Sequence, residues 1–190
     1  MINYPLNDNV FSYREGVSTE TALHKAVVKI EQALDNKHYA IAIFLDISGA
    51  FSNTSTDSMI KSLANKGVEK DIICWITNLL KNRIAKASLG NTTINKDITT
   101  GASDGGISTH RFPPESATNC NAFADDMFLI RTGKDIWEVA LHMQIGVNSL
   151  CDWAQEHNLK FNADKTKAMI FTRKYKFEKP EIWINQKPIE

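Results

Sequence analysis

Apolar and polar positions follow two periods along this chain, and they divide it into strands and helices. The run Tyr39-Ala40-Ile41-Ala42-Ile43-Phe44-Leu45 is apolar throughout and ends on Asp46; such a run predicts a strand covered on both faces, over 39–46. A hairpin is expected around 121–130, with Phe123 and Ala124 arriving, Asp125 and Asp126 at the tip, and Met127 to Ile130 leaving. A second hairpin is expected at 84–89 and 93–99, turned at Gly90-Asn91. A further strand is expected at 167–172, and a last hairpin at 181–184 and 187–190, turned at Asn185-Gln186. The helical period appears first in Leu23, Val27, Ile30 and Leu34, which predict the buried face of a helix capped at Ser18 or Thr19 and running to 37. Helices are also expected at 56–66, closed by Gly67, and at 69–81, with Ile72, Ile73, Ile76, Leu79 and Leu80 apolar. The longest is expected at 135–158, with Ile136, Val139, Ala140, Met143, Val147, Leu150 and Ala154 facing the core and Gly146 weakening its middle. Residues 1–10 read as a loop and 131–134 as a turn.

Composition narrows this picture little. The 190 residues make one domain or part of one, and a hydrophobic fraction of 43% can supply a core. The expected class is α/β, in the α+β sense: a small antiparallel sheet packed on helices, akin to a split βαβ unit. Formal net charge is zero, whereas nucleic-acid binders are more often basic. The distribution is less even: residues 159–179 hold seven Lys or Arg and two acids, a local +5. That excess fits either a solvated hairpin face or a patch that follows a phosphate backbone. Three scattered cysteines, Cys74, Cys120 and Cys151, show no metal-ligand spacing, so zinc is not expected. They fit a reducing, intracellular setting, nuclear or cytoplasmic. No apolar run reaches about 18 residues and no signal peptide opens the chain, so neither membrane insertion nor secretion is indicated.

Chemistry is concentrated in the acids. Adjacent carboxylates on a rigid turn are costly unless a cation neutralises them, and Mg²⁺ takes carboxylate oxygens together with substrate phosphates. Asp125-Asp126 is also an ordinary turn pair, since Asp is common in turns. Asp46, at the end of a buried strand, shifts the balance: one carboxylate at a strand end and two on a neighbouring hairpin are a ligand set for two-metal phosphoryl transfer.

Phe44-Leu45-Asp46-Ile47-Ser48-Gly49-Ala50-Phe51 and Phe123-Ala124-Asp125-Asp126 resemble the two metal-binding motifs of reverse transcriptases, in particular those of non-LTR, LINE-like retrotransposons. Arg14 to Leu23 resembles that family's fingers-to-palm segment, and Leu159 to Thr166 its later palm motif. The resemblance implies RNA-directed DNA polymerisation on an RNA template and a DNA primer, with a deoxynucleoside triphosphate as substrate. It implies Mg²⁺, or Mn²⁺ in its place, held by Asp46, Asp125, Asp126 and the Ile47 carbonyl. Lys165 would donate a proton to the leaving pyrophosphate, Ala50 and Phe51 would lie under the nucleotide sugar, and Asp104, Gly105 and Gly106 would belong to the turn that cradles the template–nucleotide pair. Arg14 would touch template or phosphate, or pair with an acid. The implied organisation is partial fingers at 1–38, a palm at 39–177 and the start of a palm-to-thumb hairpin at 178–190, with the remaining fingers, the thumb and any endonuclease not encoded.

Two departures from the family pattern stand out. Ala102-Ser103-Asp104 replaces the usual Cys-Pro-Gln, which puts an acid where a neutral amide meets phosphates. Residues 107–120 are polar and carry Pro113-Pro114 where the family has an apolar palm helix, and consecutive prolines do not sit inside a helix. An internal deletion and a chain inactive by itself are therefore expected. The alternatives are a non-catalytic transposon remnant, a module that binds RNA or protein without chemistry, and another two-metal nucleotidyl transferase.

Overall fold

The computed structural model describes residues 8–49, 55–81, 83–98, 120–124, 126–157 and 159–190. They fall into two compact units. The smaller one holds α2 (Thr56–Asn65), α3 (Lys70–Leu80) and a two-stranded ribbon of β2 (Arg83–Leu89) and β3 (Thr92–Ile98). The sequence reading holds here to within a residue or two. Ser55 caps α2, accepting from Ser58 N–H at 3.4 Å, and Gly67 follows the helix with φ +68°, the left-handed conformation that glycine adopts at little cost. The ribbon turns at Gly90-Asn91, and the Ser88 and Thr93 hydroxyls bond across it at 3.0 Å.

The larger unit contains the four-stranded sheet. Its order is β4 (Cys120–Phe123), β5 (Asp126–Gly133), β1 (Tyr39–Leu45), β6 (Lys167–Phe171), with every neighbour antiparallel. α4 (Ile136–Glu156) connects β5 to β6, and β1 lies between them, so β5–α4–β6 is a split βαβ unit as expected. Residues 131–133, expected in a turn, continue β5 because Arg131, Thr132 and Gly133 pair with Ile41, Ala40 and Tyr39. Residues 9 and 10, expected in a loop, lie with Phe11 along Ala122: Phe11 N–H donates to the Ala122 carbonyl and Ala122 N–H donates to the Asn9 carbonyl, both at 2.9 Å.

Two helices cover opposite faces of this sheet. Neighbouring strand residues point to opposite sides. Ile130 packs with Ala42 and with Ala26 of α1 (Thr19–Asp35), whereas a Cβ placed on Gly146 of α4 would lie 3.9 Å from Leu129 Cδ1. α4 is capped by Asp135, whose carboxylate accepts from Trp137 and Glu138 N–H at 2.8 and 2.9 Å. All seven residues expected on its inner face are buried. α1 corrects the reading. Its buried residues are Ala22, Ala26 and Ala33, while Leu23 is 65% and Val27 41% exposed. Ile30 packs at the margin of the core and Leu34 is half-buried. The helix begins at Ser18 as expected, through a reciprocal box in which the Ser18 and Thr21 side chains each accept the other's N–H at 3.3 Å.

Candidate active site at the end of strand β1

The last pair between β1 and β5 is Leu45 with Met127. Asp46 follows Leu45 and Asp126 precedes Met127, so the two carboxylates leave adjacent strands at the same end of the sheet. By register both belong to the face that carries Phe44 and Phe128, whose rings lie 6.2 Å apart. Phe44 and, on β6, Met169 are exposed on this face. The carboxylates therefore lie at the end of the α1 face of the sheet, next to the partly exposed Phe44.

The hairpin bearing Asp126 turns one residue earlier than expected. Phe123 pairs with Asp126, which sets Asp126 on the strand and leaves a two-residue connection that begins at Ala124. Ala124 has φ +55°. A two-residue hairpin favours positive φ because that matches the twist of its strands; alanine bears a cost of about 1–2 kcal/mol there.

Beyond Asp46 the backbone is held from the β6 side. The Asp46 carbonyl accepts from Asn162 N–H at 2.8 Å, and Ser48 N–H donates to Lys160 at 2.8 Å, flanking a bridge between Ile47 and Phe161. Carbonyls alternate sides along an extended chain, so the Ile47 carbonyl is directed away from residue 161 and toward the side of β5. Asn162 then shapes the turn that follows. Its Oδ1 accepts from Asp164 and Lys165 N–H at 3.1 and 3.4 Å, and its carbonyl accepts the fully buried Thr166 hydroxyl at 2.8 Å. This turn brings the Lys165 ammonium to 3.6 Å from Asp46 Oδ2. Asn162 was missed as a positioning residue, although an asparagine two residues before an aspartate is a recognisable turn signal. On the same turn, Lys187 hydrogen-bonds and pairs with Asp164, holding that carboxyl below the ordinary carboxylate range.

Asp46, Ile47, Asp126 and Lys165 thus gather at one end of the sheet. Asp125, Ala50, Phe51, Asp104, Gly105 and Gly106 lie outside the described residues, as does the expected loop 107–120 apart from Cys120, which opens β4. Arg14 pairs with Asp8 at 3.3 Å and donates to the Val10 carbonyl at 3.3 Å. The +5 segment is partly neutralised: besides Lys165, Lys167 pairs with Glu190 and Arg173 with Asp35. Two carboxylates and a backbone carbonyl are hard oxygen donors, the chemistry that Mg²⁺ takes. Among the described residues no three His, Cys, Asp or Glu side chains gather into a metal centre.

Comparison with known proteins decides the family. The reverse transcriptase (RNA-dependent DNA polymerase) family profile matches residues 2–187. The chain belongs to the reverse transcriptase family. It is 26% identical over 187 residues to the probable RNA-directed DNA polymerase from transposon BS of Drosophila melanogaster, covering 89% of this chain and 20% of that protein. It is 23% identical over 181 residues to the RNA-directed DNA polymerase from mobile element jockey of the same organism, covering 86% of this chain and 20% of that one. This reverse transcriptase chain therefore spans about a fifth of the length of the curated relatives it matches. No helix among its described residues is long and apolar enough to cross a membrane.

Proposed function

We propose that this chain is the palm portion of an RNA-directed DNA polymerase that extends a DNA primer on an RNA template. Residues 1–38 would belong to the fingers side, 39–177 to the palm and 178–190 to the approach to a thumb. The observation that carries the reading is the register in which Asp46, one residue past the end of β1, and Asp126, the first residue of β5, leave adjacent strands at one end of the sheet, with Lys165 tied to Asp46. In the reaction the primer 3′-hydroxyl attacks the α-phosphate of a deoxynucleoside triphosphate, the bond to the β-phosphate breaks, and pyrophosphate leaves. Asp46, Asp125, Asp126 and the Ile47 carbonyl would hold Mg²⁺, with Mn²⁺ as a substitute. Bound there, the ions would acidify the attacking hydroxyl and neutralise charge on the leaving oxygens.

The chain's own groups do the rest. Lys165 would balance the Asp46 charge and donate a proton to pyrophosphate. The exposed side chains of Phe44 and Met169 offer apolar area on which a base pair can rest. Ala50 and Phe51 would exclude a 2′-hydroxyl, and the turn at Asp104, Gly105 and Gly106 would lie against the template–nucleotide pair. Asp104 puts negative charge near phosphates, and Pro113-Pro114 interrupts the segment that backs the site in relatives of this class. The isolated chain would therefore be a weak enzyme at best.

Primer extension on an RNA template with Mg²⁺ tests this. Asp46→Ala or Asp125→Ala should lower whatever extension the wild-type chain shows by on the order of 10²-fold, because misplacing the reacting atoms by about 1 Å already costs that much. Equal background signal in all three proteins would reject polymerase activity for this chain and leave the non-catalytic remnant.

A further inference from the structure

We propose a second nucleic-acid contact, for a single strand, at the end of the sheet opposite Asp46. It is centred on Tyr175. The segment that leaves β6 is ordered around one ring. Lys174 Nζ stands 4.1 Å over the centre of the buried Tyr39 ring, and Phe177 meets the same ring edge-on at 6.0 Å. Arg173 pairs with Asp35 at 2.9 Å, and Lys174 N–H donates to the Thr172 hydroxyl at 3.1 Å. Between these anchors Tyr175 is fully exposed. A large aromatic ring is thus displayed to solvent on a segment whose neighbouring side chains are fixed, which lowers the ordering cost of binding.

The surroundings favour a polyanion. Lys176 follows Tyr175 and is exposed; Lys37 precedes His38-Tyr39, and Lys134 follows Gly133, the β5 partner of Tyr39. Of the nearby acids, Asp35 pairs with Arg173 and Asp135 caps α4, while the exposed Glu178 is flanked in sequence by Lys176 and Lys179. An exposed aromatic flanked by lysines is the arrangement that holds single strands, with a base stacked on the ring and phosphates on the cations. Tyr39 begins β1 and Asp46 follows its end, so the contact lies about 23 Å from the carboxylates, at roughly 3.3 Å per residue. It requires no catalysis at Asp46.

Fluorescence anisotropy with a short labelled single-stranded oligouridylate, using the whole chain, tests it. Wild type and Tyr175→Phe should bind alike, and Tyr175→Ala should bind about tenfold more weakly. Lys176→Ala should weaken binding and make the slope of log affinity against log salt shallower by about one. Tyr175 touches no core residue, so each variant should keep the wild-type circular dichroism and thermal midpoint. No binding by wild type, or equal affinity in Tyr175→Ala, would overturn the contact. So would loss of binding in Lys165→Ala with Tyr175→Ala unaffected, which would move it to the Asp46 end and leave the polymerase reading standing.

Discussion

The two helices that cover the sheet solve the same problem in opposite ways. α4 presents large side chains: Met143, Val147 and Leu150 are fully buried against one face. α1 presents alanines, with Ala22, Ala26 and Ala33 inside and Leu23 and Val27 outside. A helix that packs through methyl groups comes closer to the sheet than one that packs through leucines. Close approach gains contact along the whole backbone, but it leaves no space for anything larger. α4 is therefore sensitive to the loss of atoms and α1 to their addition.

The largest expected effect follows from α4. Leu150→Ala should cost about 2–5 kcal/mol, the range for emptying a buried leucine site, whereas Leu23→Ala on α1 should change stability by no more than about 0.5 kcal/mol. Urea unfolding of both variants checks the pair; a similar loss in each would mean that α1 buries its leucine after all. The reverse substitution is next in size. Ala26→Leu places a larger side chain where α1 meets Ala42 and Ile130, and overpacking of that kind costs about 1–3 kcal/mol. A neutral or stabilising Ala26→Leu would show that the helix can lift away from the sheet.

The same contrast explains what could be read from the sequence. α4 was legible because hydrophobic periodicity and packing agree: the large apolar residues are the buried ones. α1 carries two apolar stripes one residue apart, Ala22-Ala26-Ala33 and Leu23-Val27-Ile30-Leu34. Periodicity alone favours the larger side chains, and only the sheet opposite selects the smaller. At the candidate site, the position of Asp46 at the end of a buried strand was legible from the apolar run before it, and Lys165 was singled out by resemblance to a motif. The tip of the acidic hairpin was misplaced by one residue because a pair of aspartates looks like a turn, while the pairing of Phe123 with Asp126 is a tertiary choice. The ion pair between Lys165 and Asp46 was not legible, since it depends on Asn162 folding the intervening turn.

Close packing of α1 also traps a charge, and this gives the smallest and most specific test. Lys29 lies on α1, and its ammonium is pushed down to about 8, first by burial and then by repulsion from Arg131 and Lys25. Below pH 8 both the folded and the unfolded chain hold the proton, and the penalty for the buried charge is fully present. Between about 8 and the ordinary lysine value of 10.5 the unfolded chain binds more protons than the folded one, so this group makes stability rise with pH. Above 10.5 neither state is charged and the rise ends. Lys29→Met has no such group, so wild type should gain stability relative to the variant as pH increases through that window. Exposure of part of the side chain to water keeps the gain small. Urea midpoints of both proteins at several pH values measure it, and groups that titrate alike in the two chains cancel in the difference. A difference that does not change between pH 8 and 10.5 would mean that Lys29 reaches solvent and that α1 stands further from the sheet than its alanines imply.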